Sequence, residues 1–250
     1  MMEKWSNESD ELRARFAAVE ENYKQICDTI ARAAQNSGRS PEEVTLLAAT
    51  KTVPVEVINH AIHLGVRHIG ENRVQELLEK YDGLDKENAT LHFIGHLQTN
   101  KVRQLVGAVP RVKMIQSVDS AKLAAEISRL NQKYGANTDV LIEVNIGREE
   151  NKSGIPPEAL DELTDEIRRM KGLHVKGLMA IPPVCENKAE LEKYFTQMHR
   201  LFIDIGQKTM DNVTMDYLSM GMSGDYELAV QCGSNMVRIG SALFGARIYR

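Results

Sequence analysis

Apolar residues recur along residues 9–36 at steps of three and four, at Leu12, Phe16, Val19, Tyr23, Ile26, Ile30 and Ala34. That period lays them along one face of a helix. Ser37-Gly38-Arg39-Ser40-Pro41 ends it, because proline cannot continue the hydrogen-bond ladder. The pattern then changes. Leu46-Leu47-Ala48-Ala49-Thr50-Lys51-Thr52 is a short, nearly continuous apolar run that closes on a lysine, and such runs are strands covered on both faces. Val53-Pro54 turns the chain into a helix over residues 55–64, which Gly65 ends.

The same phrase repeats. Strands are predicted at residues 66–72, 91–95, 111–118, 140–146, 175–180, 217–221 and 236–239, and helices at 73–81, 99–106, 121–134, 156–170, 188–207 and 226–231. Asp119 is the expected N-cap of the helix over 121–134. Residues 1–250 read as one domain without a linker, an α/β chain of eight strand–helix units with an extra helix in front. Eight such units in about 250 residues is the expectation for a (β/α)8 TIM barrel. A doubly wound open sheet is the competitor. Its nucleotide-binding form carries a glycine-rich first turn, and Thr50-Lys51-Thr52-Val53-Pro54 has none.

Composition narrows the partners. The chain is 42% hydrophobic and 26% charged with a formal charge of −4, so no basic field calls for nucleic acid or an anionic membrane. Cys27, Cys185 and Cys232 lack CxxC or metal-ligand spacing and read as free thiols of a reducing compartment. Residues 1–8 have no apolar core of a signal peptide and no run is long enough to span a bilayer, so a cytoplasmic protein is expected.

Candidate chemistry begins at Lys51. An ammonium at the end of a buried strand is costly, and the same cost yields a neutral amine suited to Schiff-base formation. The plainer reading has Lys51 snorkel to water. In a closed barrel the first strand neighbours the eighth, and anions are often held by the loops after strands seven and eight. Those loops carry Ser219-Met220-Gly221-Met222-Ser223 and Gly240-Ser241, with small residues and hydroxyls suited to a phosphate, or simply to turns and helix caps. A Schiff-base lysine beside an anion cradle points to a phosphorylated aldehyde, with pyridoxal phosphate the obvious candidate.

Arg238 stands two residues before Gly240 and so shares its face, the barrel interior. There it either donates to a pyridine nitrogen or pairs with a carboxylate such as Glu143. Asn72 either reaches the cofactor's phenolic oxygen or caps the following helix. His92 is read as structural and His96 as a residue of the pocket rim.

Ala49-Thr50-Lys51, His68-Ile69-Gly70-Glu71-Asn72, residues 92–101 (HFIGHLQTNK), Lys152-Ser153-Gly154, Gly177-Leu178-Met179, Leu218-Ser219-Met220-Gly221-Met222-Ser223 and Val237-Arg238-Ile239-Gly240 together resemble the pyridoxal phosphate homeostasis protein family. The resemblance runs from about residue 10 to Arg247. It implies a barrel similar to the N-terminal domain of alanine racemase. Lys51 would hold pyridoxal 5'-phosphate as a Schiff base, Ser219, Gly240 and Ser241 would bind its phosphate, Arg238 would face the pyridine nitrogen, and Asn72 and Met220 would complete the site.

Alanine racemase adds a second domain whose tyrosine serves the opposite cofactor face, and this chain ends at Arg250. The resemblance therefore implies a monomeric binder that buffers pyridoxal phosphate or delivers it to apo-enzymes, without turnover. The alternative is a small racemase whose second base is Tyr226 or His96. A cofactor-free, aldolase-like barrel is a third reading.

Overall fold

The computed structural model describes residues 2–107, 111–185 and 187–246, with side chains from Asp10 onward; Arg247, the far end of the resemblance, lies outside the described residues. Eight parallel strands close into a barrel in chain order: β1 (Thr45–Ala49), β2 (His68–Glu71), β3 (Thr90–Phe93), β4 (Met114–Val118), β5 (Thr138–Val144), β6 (Leu173–Ala180), β7 (Val213–Ser219) and β8 (Met236–Ile239). Closure is direct, since Leu46 pairs with Val237 and Leu47 with Arg238. The open-sheet alternative is thereby excluded.

The helices among the described residues are α1 (Met2–Asn36), α2 (Val55–Leu64), α3 (Val74–Lys80), α4 (Val102–Leu105), α5 (Ala121–Tyr134), α6 (Leu160–Ile167), α7 (Lys188–Gly206), α8 (Tyr226–Gln231) and α9 (Ser241–Phe244). α1 is the extra helix. Val19, Ile26, Ile30 and Ala34 are buried on its predicted face, and the side chains of Leu12, Phe16 and Tyr23 pack against the same core. Asn22 Nδ2 donates to Leu243 O at 3.0 Å, tying α1 to α9.

Two expectations are corrected. The N-cap of α5 is Ser120, whose hydroxyl accepts from Leu123 N at 3.3 Å; Asp119 instead lies 3.7 Å from His96 Nδ1. β7 starts at Val213, four residues before the predicted boundary. Its first half alternates half-buried and exposed side chains, Val213-Thr214-Met215-Asp216, and so lacks the continuous apolar run that marked the other strands.

The side chains form two layers. Ala48, Ile69, Ile115, Val140, Ile142, Leu178, Val237 and Ile239 belong to the large core shared with the helices. Their neighbours one residue away, Leu47, Ala49, Met114, Leu141, Met179 and Met236, form small clusters inside the barrel, both touching Tyr217. This is the period-two alternation of a strand. The interior also holds buried polar groups, His92, Gln116, Glu143, Ser219 and Arg238. A packed barrel usually fills those layers with branched apolar residues.

Candidate functional site

β1 ends at Ala49, and Lys51 stands in the turn beyond it, half-buried at the C-terminal mouth of the barrel. Thr52 adopts φ +63°, a left-handed conformation that a β-branched residue takes only under constraint, at a cost of about 1–3 kcal/mol. The turn is strapped down. Thr50 N donates to Gly70 O at 2.9 Å, and Thr50 Oγ1 lies 2.6 Å from Glu71 Oε1.

Lys51, Thr52 and Pro54 line a cavity of about 320 Å³ with Gly240, Ser241 and Phe244 from the other end of the chain. They meet because β8 pairs with β1. Small-molecule sites commonly measure ~300–1,000 Å³. Glu11 and Arg15 of α1 complete one wall. A larger cavity of about 570 Å³ lies at the opposite end of the barrel, beside Leu46 and His68. The C-terminal mouth is where barrels of this type place their chemistry, so the smaller cavity is the candidate.

Beside Lys51, the first turn of α9 converges on one oxygen. Ser223 Oγ accepts from Gly240 N at 3.2 Å and from Ala242 N at 3.1 Å. Two backbone donors meeting at a point form a place for an oxyanion. Ser241 is exposed in the first turn of α9 and the cap position is Gly240, so Ser241 does not serve as the cap. A Cβ on Gly240 would come within 3.2 Å of Ala49 O, so glycine permits the close approach of the two strand ends.

Four of the interior polar groups, Arg238, Ser219, Gln116 and His92, form one chain. Arg238 Nη1 donates to Ser219 Oγ at 2.8 Å, and Ser219 Oγ donates to Gln116 Oε1 at 2.7 Å. Gln116 Nε2 stands 3.1 Å from His92 Nδ1, and His92 Nε2 stands 3.0 Å from His68 Nδ1. With the Gln116 amide donating, His92 carries its proton on Nε2 and passes a bond to His68. Burial, reinforced by His68, pushes His92 down to about 3, so it is neutral at ordinary pH.

Arg238 Nη2 also donates to Ala180 O at 2.9 Å. Its bonds thus go to a hydroxyl and a carbonyl. Glu143 reaches it only through space: burial and the Asp119 charge raise this carboxyl to about 7 against the pull of Arg238, and its Oε2 is buried without a hydrogen-bond partner. Burial lowers Arg238 to about 10, which still leaves it cationic at neutral pH.

The remaining predicted residues separate. Asn72 does not cap α3, whose cap position is Arg73 without a side-chain bond; Asn72 Oδ1 is buried and unpartnered. Gly95 packs so tightly on it that an added Cβ would sit 2.0 Å from Asn72 O. Ser219 lies fully buried beneath the mouth, its hydroxyl engaged by Gln116 and Arg238. The Met220 side chain belongs to the core outside the barrel, and its backbone is engaged by Met236 O and Ser234 Oγ. Neither lines the cavity.

His96, in the loop after β3, has a side chain 59% exposed and 3.1 Å from Ser153 Oγ, and does not line the cavity. Tyr226 opens α8 and is partly buried against the outer core. Sequence reasoning misses Gln116, Arg15 and the engagement of α9 by Ser223. A polar residue inside an apolar strand was the one available signal, at Gln116. No cluster of metal-ligating side chains occurs among the described residues.

The sequence profile of the alanine racemase N-terminal domain matches residues 16–248. A pyridoxal phosphate homeostasis protein of Aquifex aeolicus is 43% identical over 229 residues, 92% of this chain and 98% of its own. The crystal structure of an unknown protein from Bifidobacterium adolescentis matches with a TM-score of 0.88 at 36% identity, over 92% of this chain and 96% of that one. PipY of Synechococcus elongatus, solved with PLP bound, matches with a TM-score of 0.74 at 33% identity, over 86% of this chain and all of PipY.

Proposed function

Because the chain belongs to the alanine racemase N-terminal domain family, and within it to the pyridoxal phosphate homeostasis proteins, we propose that it binds pyridoxal 5'-phosphate as a Schiff base on Lys51 and buffers or delivers it without turnover. One observation carries this reading. Lys51, Gly240 and Ser241 line the same cavity although Lys51 and Gly240 stand 189 positions apart in the sequence.

The residues present fit the group. Asn72 Oδ1 is an orphaned polar atom, and Ser223 holds two convergent amides of the α9 turn. Gly240, Ser241 and Ser223 would hold the phosphate, Asn72 the phenolic oxygen and Arg238 the ring nitrogen. Ser219 would act from below by holding Arg238. When bound, the group supplies an electrophilic aldehyde and an electron-withdrawing ring.

Lys51 must react as the neutral amine: its nitrogen adds to the aldehyde carbon, water leaves with the carbonyl oxygen, and a C=N bond remains. No oxidant or reductant is consumed. Arg238 is a donor that stays protonated at neutral pH, with Nη1 and Nη2 fixed on Ser219 and Ala180. Facing the ring nitrogen, it keeps that atom unprotonated and weakens the ring as an electron sink, which favours holding over catalysis. No helix among the described residues is long and apolar enough to cross a membrane. The carrier would work as a cytoplasmic monomer, with apo forms of pyridoxal phosphate enzymes as recipients.

The test is the visible spectrum of the protein with one equivalent of pyridoxal phosphate, followed by borohydride and peptide mapping. A coloured adduct reduced onto Lys51 and lost in Lys51→Ala is expected. Transfer to an apo-enzyme without racemisation of alanine or serine completes the reading. Sustained racemisation would establish the small racemase instead, and a colourless protein would refute the cofactor.

A further inference from the structure

Lys51 lies between two residues whose backbones are gripped by one ion cluster. Lys80, near the end of α3, directs its ammonium to Thr50 O at 2.7 Å, Glu71 Oε1 at 2.8 Å and Glu76 Oε1 at 2.7 Å. Those three acceptors use all three N–H donors of a lysine. Glu76 Oε1 in turn accepts from Thr52 N, and Glu71 Oε1 accepts from Thr50 Oγ1. The residue before Lys51 is thus held at its carbonyl and hydroxyl, and the residue after it at its amide.

The cluster is shielded from water. Lys80 and Glu76 side chains are 12% and 18% exposed, and that of Glu71 is not exposed. Surface ion pairs contribute little, but an enclosed, hydrogen-bonded group of charges holds geometry. The geometry here is an unfavourable one. Thr52 at φ +63° persists only if its surroundings impose it, and the Glu76 bond to Thr52 N does so directly.

We propose that Lys80, set between Glu71 and Glu76, is a positioning residue for Lys51: by locking residues 50–52 it presents the Lys51 amine to the cavity and controls how fast an aldehyde is captured there. Lys80 and Glu76 do not line the cavity; the cluster acts through the backbone of the Lys51 turn. The proposal rests on the reading of Lys51 as the Schiff-base residue.

The test measures the rate of coloured-adduct formation with pyridoxal phosphate, and separately the affinity for deoxypyridoxine phosphate, which has the ring and phosphate but no aldehyde, by equilibrium dialysis. Lys80→Met is expected to slow adduct formation roughly tenfold or more, the scale of a displaced reacting group, while leaving deoxypyridoxine phosphate affinity unchanged. Glu76→Gln, which keeps an acceptor but not the charge, slows it less. Adding Thr52→Gly to Lys80→Met restores much of the rate, because glycine takes the left-handed turn without constraint.

Capture at the wild-type rate in Lys80→Met, an equal loss of deoxypyridoxine phosphate affinity, or no rescue by Thr52→Gly overturns the proposal. If the wild-type protein forms no adduct on Lys51, the cofactor reading fails and the proposal falls with it. Equal rates in wild type and Lys80→Met defeat the proposal alone.

Discussion

Glu143 offers a quantitative check on the polar interior of the barrel. Glu143 is 6% exposed, one of its carboxyl oxygens has no hydrogen-bond partner, and burial together with Asp119 raises the carboxyl from 4.5 to about 7. A group whose folded value lies above its unfolded value favours the folded state in its protonated form. That advantage is full below pH 4.5 and is lost as pH rises through about 7. At about 1.4 kcal/mol per unit, the loss amounts to about 3 kcal/mol. Glu143→Gln mimics the protonated carboxyl at every pH.

The variant should therefore match wild type near pH 4.5 and exceed it by up to about 3 kcal/mol at pH 8 and above. The comparison must be differential. His92, depressed to about 3, contributes in the opposite sense: its stabilisation is present above 6.5 and lost as pH falls toward 3. Between roughly pH 4.5 and 6.5 the two slopes offset each other in wild type. Urea unfolding of both proteins across the pH series isolates Glu143. A variant less stable than wild type at pH 8 would refute the reasoning, by showing that attraction between ionised Glu143 and Arg238 outweighs the burial of the charge.

Three further outcomes are expected. Ser223→Ala removes an oxygen that receives two backbone N–H bonds, and should weaken pyridoxal phosphate binding about tenfold while leaving non-phosphorylated pyridoxal unaffected, as read by parallel spectral titrations. Gly95→Ala places a Cβ 2.0 Å from Asn72 O, a backbone atom that cannot swing aside, and should cost at least ~2 kcal/mol in thermal or urea denaturation. Arg15 lines the cavity from just before the span matched by the family profile, and Arg15→Gln should speed cofactor release a few-fold at low salt, with the difference shrinking in stopped-flow measurements as salt rises.

Periodicity in the sequence determined the barrel. The limits of α5, α8 and β8 agree with the predicted ones, because each is a clean apolar pattern bounded by turn residues. Alternation alone put Arg238 inside, and the logic of closure put Lys51 next to Gly240 and Ser241. The choice between paired readings was not visible there. Whether Arg238 paired with Glu143, and whether Asn72 capped a helix, depended on which side chains the barrel brought face to face.

Only the tertiary structure decided the contacts across the chain: Ser223 on the amides of α9, Arg15 beside Lys51, Lys80 gripping the turn around Lys51, and the path from Arg238 through Ser219, Gln116 and His92 to His68. The physical reason is range. A strand's face and a helix's stripe follow from backbone sterics repeating every two or 3.6 residues, which one stretch of chain carries by itself. A hydrogen bond between Gln116 and Ser219 requires two strands, far apart in the chain, to arrive at matching heights inside a closed barrel, and that height is set by the register of all eight.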